Sequence, residues 1–224
     1  MGEVNLGIPV NEVLFLKNLM GLNIFIEGGT YKGRTAKKMA KHFKHIMTIE
    51  ASSKLYNNAL KILRKQTNVM VKEGNTRNVL PTILDGNLDN ILFWLDSHWS
   101  GGETYGMNDE CPLIEEIKII VNSKLKNIAI IIDDAKLFLS PPPKPHDFDK
   151  WPSLKDIMSI APFNLDIVVH NDVIYLLPND YIAQFKTHLQ KQITDKYSKN
   201  GISFIKIILS FRDISKKLLL RLSI

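Results

Sequence analysis

The chain has 224 residues, 45% of them hydrophobic, which is enough for one packed α/β core and too few for two full domains. Its formal net charge of +6 would suit an anionic partner, but much of the excess lies in the helix after Gly33 and in the C-terminal tail, where solvated side chains account for most such charge. A single cysteine excludes an internal disulfide, and without a signal-peptide pattern or an apolar run of about 18 residues we expect a soluble cytoplasmic protein with no membrane partner.

Five short apolar or β-branched runs along the chain are typical of strands. In chain order they are 23–27, 45–50, 68–74, 90–96 and 127–134. Segments with apolar residues at helical spacing lie between them, at 34–43, 53–66, 76–84 and 110–124. This alternation predicts βαβ units and therefore a mainly parallel sheet that is covered on both faces.

The segment 165–178 reads as two apolar strands joined by the turn formers His170, Asn171 and Asp172, which predicts a β-hairpin. Beyond it, the segment 180–199 has the pattern of one helix.

An apolar and basic tail begins at Gly201, is too short to span a bilayer and needs a cover. We therefore divide the chain into a domain at 1–178 and a C-terminal helix and tail at 179–224. We expect the tail to pack on the domain or on a second copy in a homodimer.

The first strand runs into the glycine-containing segment EGGTYKG at 27–33, which has the form E-x-G-x-x-x-G. In open α/β sheets the ligand lies beyond the carboxyl ends of the strands, so residues at these ends matter most. Gly29 lets the backbone approach a ligand, Gly33 allows close helix packing, and Glu27 supplies a carboxylate suited to an ammonium group. A purely structural turn is the alternative interpretation.

Polar residues also follow the second and third strands. Glu50 lies about 20 residues beyond the glycines, where an acid accepts both ribose hydroxyls in many nucleoside-binding α/β proteins. The alternative is an acid that serves the start of the next helix. Gly74 and Asn75 end the third strand, with Thr76 as a candidate helix cap, although a simple turn would explain this segment too.

The order of these elements and the three strand ends resemble the class I S-adenosylmethionine (SAM) dependent methyltransferases over roughly residues 20–178. The resemblance implies a doubly wound, seven-stranded, mainly parallel Rossmann-like α/β sheet that ends in an antiparallel hairpin. It also implies that SAM is the cofactor. The cofactor-binding residues that it implies are Glu27, Gly28, Gly29, Thr30, Gly33, Glu50, Ala51, Gly74, Asn75, Thr76 and Asp96.

The fourth strand ends in a polar loop that carries Asp96 and His98, a composition that packing alone does not explain. This strand end lacks the [DN]-P-P-[YW] motif of DNA amino-methyltransferases and the Pro-Cys nucleophile of the cytosine-C5 enzymes. We therefore expect a small-molecule acceptor and no nucleic-acid partner. His98 is a candidate general base or metal ligand, and a hydrogen-bonded loop histidine is the alternative.

The fifth strand ends in Asp133 and Asp134, which should face Asp96 across adjacent strand ends. Three carboxylates so placed repel one another unless a cation joins them, one is protonated, or they splay apart, for example toward Lys136. Oxygen ligands of this kind suit Mg²⁺. The pattern resembles the metal-dependent O-methyltransferases, such as the catechol and macrocin enzymes, and the resemblance implies Asp96, Asp133 and Asp134 as metal ligands.

Together these patterns predict SAM-dependent methyl transfer to a hydroxyl of a small acceptor, a sugar or a natural-product intermediate. Asp96 and His98 are the predicted catalytic residues, assisted by a divalent metal. Two alternatives stay open: a methyltransferase acting on nitrogen or on RNA, which the basic tail supports, and a catalytically silent subunit that binds SAM.

Overall fold

The computed structural model describes residues 7–85, 88–101 and 104–198, and in them both the predicted parallel strands and the predicted hairpin are present. The strands are β1 Ile24–Gly28, β2 His45–Glu50, β3 Val69–Glu73, β4 Ile91–Leu95, β5 Ile128–Ile132, β6 Leu165–His170 and β7 Val173–Pro178. Each lies within one or two residues of its predicted bounds.

All seven strands belong to one sheet with the order β3-β2-β1-β4-β5-β7-β6. The strands β1 to β5 pair in parallel, while β7 runs antiparallel to both β5 and β6. This confirms the predicted fold class, a seven-stranded, mainly parallel, Rossmann-like sheet that ends in an antiparallel hairpin. The strand order reverses between β1 and β4, which is the point where open α/β sheets bind their ligands.

The register of the central strands brings their carboxyl ends to one edge of the sheet. Gly28 at the end of β1 lies opposite Ile49 of β2 and Leu95 of β4, and Leu95 in turn lies opposite Ile132 of β5. The loops that follow these four strands therefore start side by side.

Among the described residues up to position 160, seven α-helices flank or precede the strands in sequence. They are α1 Val10–Met20, α2 Arg34–Met39, α3 Ser53–Leu63, α4 Thr76–Leu84, α5 Leu113–Val121, α6 Lys136–Leu139 and α7 Leu154–Ile160. The four predicted helices correspond to α2, α3, α4 and α5, and α2, α3 and α5 are shorter than the apolar patterns suggested.

The predicted C-terminal helix is also present, as helix α8 at residues 179–198. A boundary between two compact units falls within it, after Ile182. The tail from Gly201 lies outside the described residues, so its packing and the division of the chain at residue 178 stay predictions. Among the described residues no helix is both long and apolar enough to cross a membrane.

The core lies around the three central strands, because every residue of β1, β4 and β5 is buried. Such continuous apolar runs are typical of parallel strands that are covered on both faces. Trp94, the fourth residue of β4, is fully buried.

Candidate active site

The glycine turn after β1 packs against the protein's own backbone at the switch in strand order. Gly29 has a φ of +87°, and a Cβ atom at this position would lie 2.0 Å from the carbonyl oxygen of Asp96. Its N–H donates to the carbonyl of Ile49 at 3.0 Å. At Gly33 a Cβ atom would lie 3.2 Å from the Leu63 side chain, which confirms the predicted close helix packing. The turn therefore holds the ends of β1, β2 and β4 together.

Glu27 lies beneath this turn and is 1% exposed. The hydroxyl of Thr48 donates to its carboxyl group at 2.5 Å, and Thr48 shares a 2.6 Å hydrogen bond with the hydroxyl of Thr30. Burial raises the pKa of Glu27 to about 8, although hydrogen bonds from Thr48 and Thr35 oppose the shift. At neutral pH the Glu27 carboxyl group therefore favours its protonated form.

Glu50 at the end of β2 joins the glycine turn to the start of α3. One carboxylate oxygen accepts the N–H of Tyr31 at 2.8 Å, and the other accepts the N–H of Ser52 at 2.9 Å. Burial raises the pKa of Glu50, and hydrogen bonds from the backbone N–H groups of Ser52, Tyr31 and Ala51 partly offset that effect. The bond to Ser52 matches the alternative of an acid near the helix start, whereas the bond to Tyr31 connects Glu50 to the turn. Ala51, which lies between Glu50 and Ser52 in the chain, is half-buried.

The end of β3 corrects one prediction, because Asn75 and not Thr76 caps α4. The side chain of Asn75 accepts the N–H of Arg77 at 3.0 Å, and its backbone is extended (φ −72°, ψ 133°), as a cap requires. Thr76 is already the first helical residue, and its methyl group lies 3.2 Å from where a Cβ atom of Gly28 would be. The neighbouring Gly74 has a φ of +139°.

Asp96 and His98, which follow β4, meet Asp134, which follows β5. The Nε2 atom of His98 lies 3.3 Å from a carboxylate oxygen of Asp134, and its Nδ1 atom lies 3.7 Å from one of Asp96. One ligand atom of each residue lies within 4.8 Å of the others. Among the described residues this is the only group of three or more acidic, histidine or cysteine side chains so arranged.

Asp133 is not a member of that group, although it was predicted as a ligand beside Asp96 and Asp134. One of its carboxylate oxygens instead accepts the N–H of Asp134 at 2.9 Å. Its charge still reaches the site, because burial and the charges of Asp133, Asp134 and Glu27 together hold the pKa of Asp96 well above its usual value.

The two aspartates after β5 differ in their ionisation. Burial and the charge of Asp134 raise the pKa of Asp133 to about 7. Burial also opposes ionisation of Asp134, but the hydrogen bond and charge of His98 outweigh it, so the pKa of Asp134 is lowered. The repulsion among the acids is therefore relieved by His98 at Asp134 and by retained protons at Asp96 and Asp133.

This chain resembles known proteins in its three-dimensional structure and not in its sequence. No family model matches the chain, and no curated protein matches it in sequence. The SAH-bound methyltransferase PaMTH1 of Podospora anserina superposes with a TM-score of 0.55 at 18% identity, over 78% of this chain and 80% of that chain. A candidate caffeoyl-CoA O-methyltransferase of Staphylococcus aureus does so with a TM-score of 0.51 at 17% identity, over 78% of this chain and 86% of that chain. The chain has the fold of these two methyltransferases.

Within this methyltransferase fold, sequence reasoning missed Glu116, which lies on α5. It is 1% exposed, accepts hydrogen bonds from the hydroxyls of Ser97 and Thr76, and has a pKa raised to about 7 by burial. Glu116 thereby connects the start of α4 to the loop after β4. An acid on the helix face that carries Leu113 and Ile117 was a readable signal, because unpaired acids are rarely buried.

Sequence reasoning also missed Glu110, which joins two loops of this methyltransferase fold. It is 3% exposed and accepts hydrogen bonds from His146 and Trp151. These residues lie 36 and 41 positions away, in a segment without secondary-structure periodicity, so no sequence pattern indicated the contact.

Proposed function

We propose that this protein transfers the methyl group of SAM to a hydroxyl of a small acceptor, a sugar or a natural-product intermediate, with the help of a divalent metal. One observation carries the proposal. A Cβ atom at Gly29 would clash with the backbone carbonyl of Asp96. The glycine turn after β1 and Asp96 after β4 are therefore in direct contact at the switch in strand order. The glycine turn proposed to hold the cofactor therefore lies next to Asp96, the acid proposed to take part in the reaction.

The residues at the ends of β1 to β3 fit SAM. The Glu50 carboxylate accepts the backbone N–H groups of Tyr31, Ser52 and Ala51, and a carboxylate has about four acceptor positions, so capacity remains for a ribose hydroxyl. The raised pKa of Glu27 falls beside an ammonium group, because an opposite charge favours the ionised form. Gly74 and Asn75 complete this end, near the adenine. SAM supplies an electrophilic methyl group on its sulfonium.

The group formed by Asp96, His98 and Asp134 fits a divalent cation. The two carboxylates suit Mg²⁺ or Mn²⁺, whereas the imidazole of His98 is a ligand more typical of Zn²⁺ or Fe²⁺. One ligand atom of each residue lies within 4.8 Å of the others, so small side-chain shifts would bring all three to one cation. A cation held there would lower the pKa of an acceptor hydroxyl. Asp133 adds negative charge behind these ligands, and His98 is placed to receive the acceptor's proton if no metal takes part.

Calorimetric titration with S-adenosylhomocysteine (SAH), the demethylated product, tests the cofactor half. We expect wild-type protein to bind SAH, and Glu50→Ala to weaken binding by roughly 1–3 kcal/mol through the loss of charge-assisted hydrogen bonds. Glu115→Ala is the matched control, because Glu115 is an exposed acid on α5. Absence of SAH binding by the wild-type protein would overturn the proposed function, and unchanged affinity in a folded Glu50→Ala variant would remove Glu50 from the site.

A further inference from the structure

Two loops near Asp96 and Asp134 are joined by a single buried carboxylate. The first is the β4–α5 loop, described at residues 96–101 and 104–112, and the second is the α6–α7 loop, residues 140–153. Glu110 belongs to the first loop and is 3% exposed. All of its described side-chain hydrogen bonds reach into the second loop. A connection between the two loops that flank the acidic group therefore depends on this residue.

Three groups of the α6–α7 loop converge on the Glu110 carboxylate. The indole Nε1–H of Trp151 donates at 2.8 Å, the backbone N–H of Asp147 donates at 3.1 Å, and Nδ1 of His146 lies at 3.0 Å. Burial opposes ionisation of Glu110, but these hydrogen bonds outweigh it and the pKa is lowered. An ionised carboxylate only accepts hydrogen bonds, so Nδ1 of His146 must carry a proton.

Trp151 extends this connection to the reacting end. Its ring centroid lies 5.1 Å from that of His146 and 5.2 Å from that of His98, and the ring is 8% exposed. His98 contacts Asp134 at 3.3 Å. Glu110 thus reaches the acidic group through two packed side chains without touching it.

We propose that Glu110 is a positioning residue for the acceptor end of the site. It fixes the Nδ1–H tautomer of His146 and holds the Trp151 ring against His98, so that the α6–α7 loop and the imidazole beside Asp134 keep one arrangement. This rests on the proposed function, because only a methyl-transfer site has an acceptor end to organise. Glu110 touches no reacting group and is not a catalytic residue.

The direct test is nitrogen-15 NMR of the histidine rings in the full chain, at a pH above the usual titration range of imidazole. Single substitutions assign the signals of the 6 histidines. In wild-type protein we expect His146 to be the Nδ1–H tautomer. In Glu110→Gln we expect the ring signals of both His146 and His98 to shift, because the amide places a donor group against the three donors.

Glu115→Gln is the matched control, since it makes the same chemical change at an exposed position and should leave both rings unchanged. An Nε2–H tautomer of His146 in wild-type protein would overturn the inference, and this measurement does not depend on any variant folding. Unshifted His98 signals in folded Glu110→Gln would overturn it as well.

SAH calorimetry on the same samples separates this inference from the proposed function. The affinity of Glu110→Gln for SAH should stay within about twofold of wild type, because the described side-chain bonds of Glu110 go to the α6–α7 loop and none to the ends of β1 to β3. Failure of the wild-type protein to bind SAH would reject the proposed function while the ring signals still report on Glu110. A loss of SAH affinity well beyond twofold would show a general structural role and would contradict positioning at the acceptor end.

Discussion

The two halves of the sheet edge hold their acids in different ways. At the ends of β1 and β2, Glu27 and Glu50 accept hydrogen bonds from hydroxyl and backbone N–H donors. At the ends of β4 and β5, Asp96 faces other carboxylates and a histidine, and its pKa is held well above the usual value by burial and by those charges. The first half is organised by neutral donors, whereas in the second half the acids face one another and a histidine.

This difference indicates what each half can bind. A site built from satisfied acceptors needs little rearrangement to take hydroxyl and ammonium groups of a nucleoside ligand. A site in which several acids face one another gains the most from a cation or from a base that exchanges protons with the ligand. Under the proposed function, cofactor binding and proton removal belong to separate halves, and most of the predictions below change one half at a time.

Metal removal should have the largest effect and should act on the β4–β5 half alone. Excess chelator, or Asp134→Asn, should lower methyl transfer to hydroxylated acceptors by on the order of 10²-fold or more, because the acceptor proton is then removed without assistance. SAH affinity should stay within about twofold, since the ligands lie outside the cofactor half. Radiolabelled SAM measures the transfer. Undiminished activity in chelator would refute the metal role and leave His98 as the base.

Gly29→Ala should disturb both halves, because the added methyl group would meet the carbonyl of Asp96 at 2.0 Å. Together with the left-handed φ of +87°, this should lower the free energy of unfolding by roughly 4 kcal/mol and weaken SAH binding. Urea denaturation measures the first quantity. Gly21→Ala is the control, since its φ is +66° with no described atom within 4 Å, and it should cost only about 1 kcal/mol. Equal losses in the two variants would contradict the close contact between the halves.

Glu116 lies between the halves and should make stability depend on pH. Its folded-state pKa of about 7 lies above the ordinary 4.5, so between these values the unfolded chain ionises while the folded protein does not, and stability falls as pH rises. Glu116→Gln cannot ionise. Its stability advantage should therefore be near zero below pH 4.5 and reach on the order of 2–3 kcal/mol above pH 7. Urea denaturation across this range checks the sign, and an advantage that shrinks with rising pH would refute it.

The smallest effect concerns the cap at the end of β3. Asn75→Ala removes the acceptor for the N–H of Arg77 and should lower the free energy of unfolding by about 1 kcal/mol. Asn78→Ala, at an exposed position inside α4, should not destabilise, because alanine is the better helix former there. Thermal unfolding of both variants measures the difference. A larger loss in Asn78→Ala would contradict the assignment of the cap.

Most of the fold was predictable, because its signals are local. The hairpin is one example: Asn171 and Asp172 both adopt positive φ values, 48° and 65°, as the turn formers suggested. Helix α1 was missed although Pro9 and Gly21 flank it, which are ordinary start and stop signals.

The site was predictable only where it lies at strand ends. Asp96 and Asp134 follow apolar runs, so their meeting follows from parallel pairing. Asp134 pairs with His98, whereas the sequence predicted that Asp133 and Asp134 would both be metal ligands. The difference depends on the directions of the side chains, which the sequence does not encode locally. The cap was misassigned because Asn75 and Thr76 are both good caps, and only the backbone conformation distinguishes them.

The most direct test of the division between the halves is anomalous diffraction from a crystal of the full chain grown with SAH and Mn²⁺. We predict that the SAH ribose lies at Glu50, with its adenine toward Asn75, and that a manganese peak lies within coordination distance of Asp96 and Asp134. A nucleoside bound away from Glu50, or manganese absent from these two acids while SAH is present, would contradict the account.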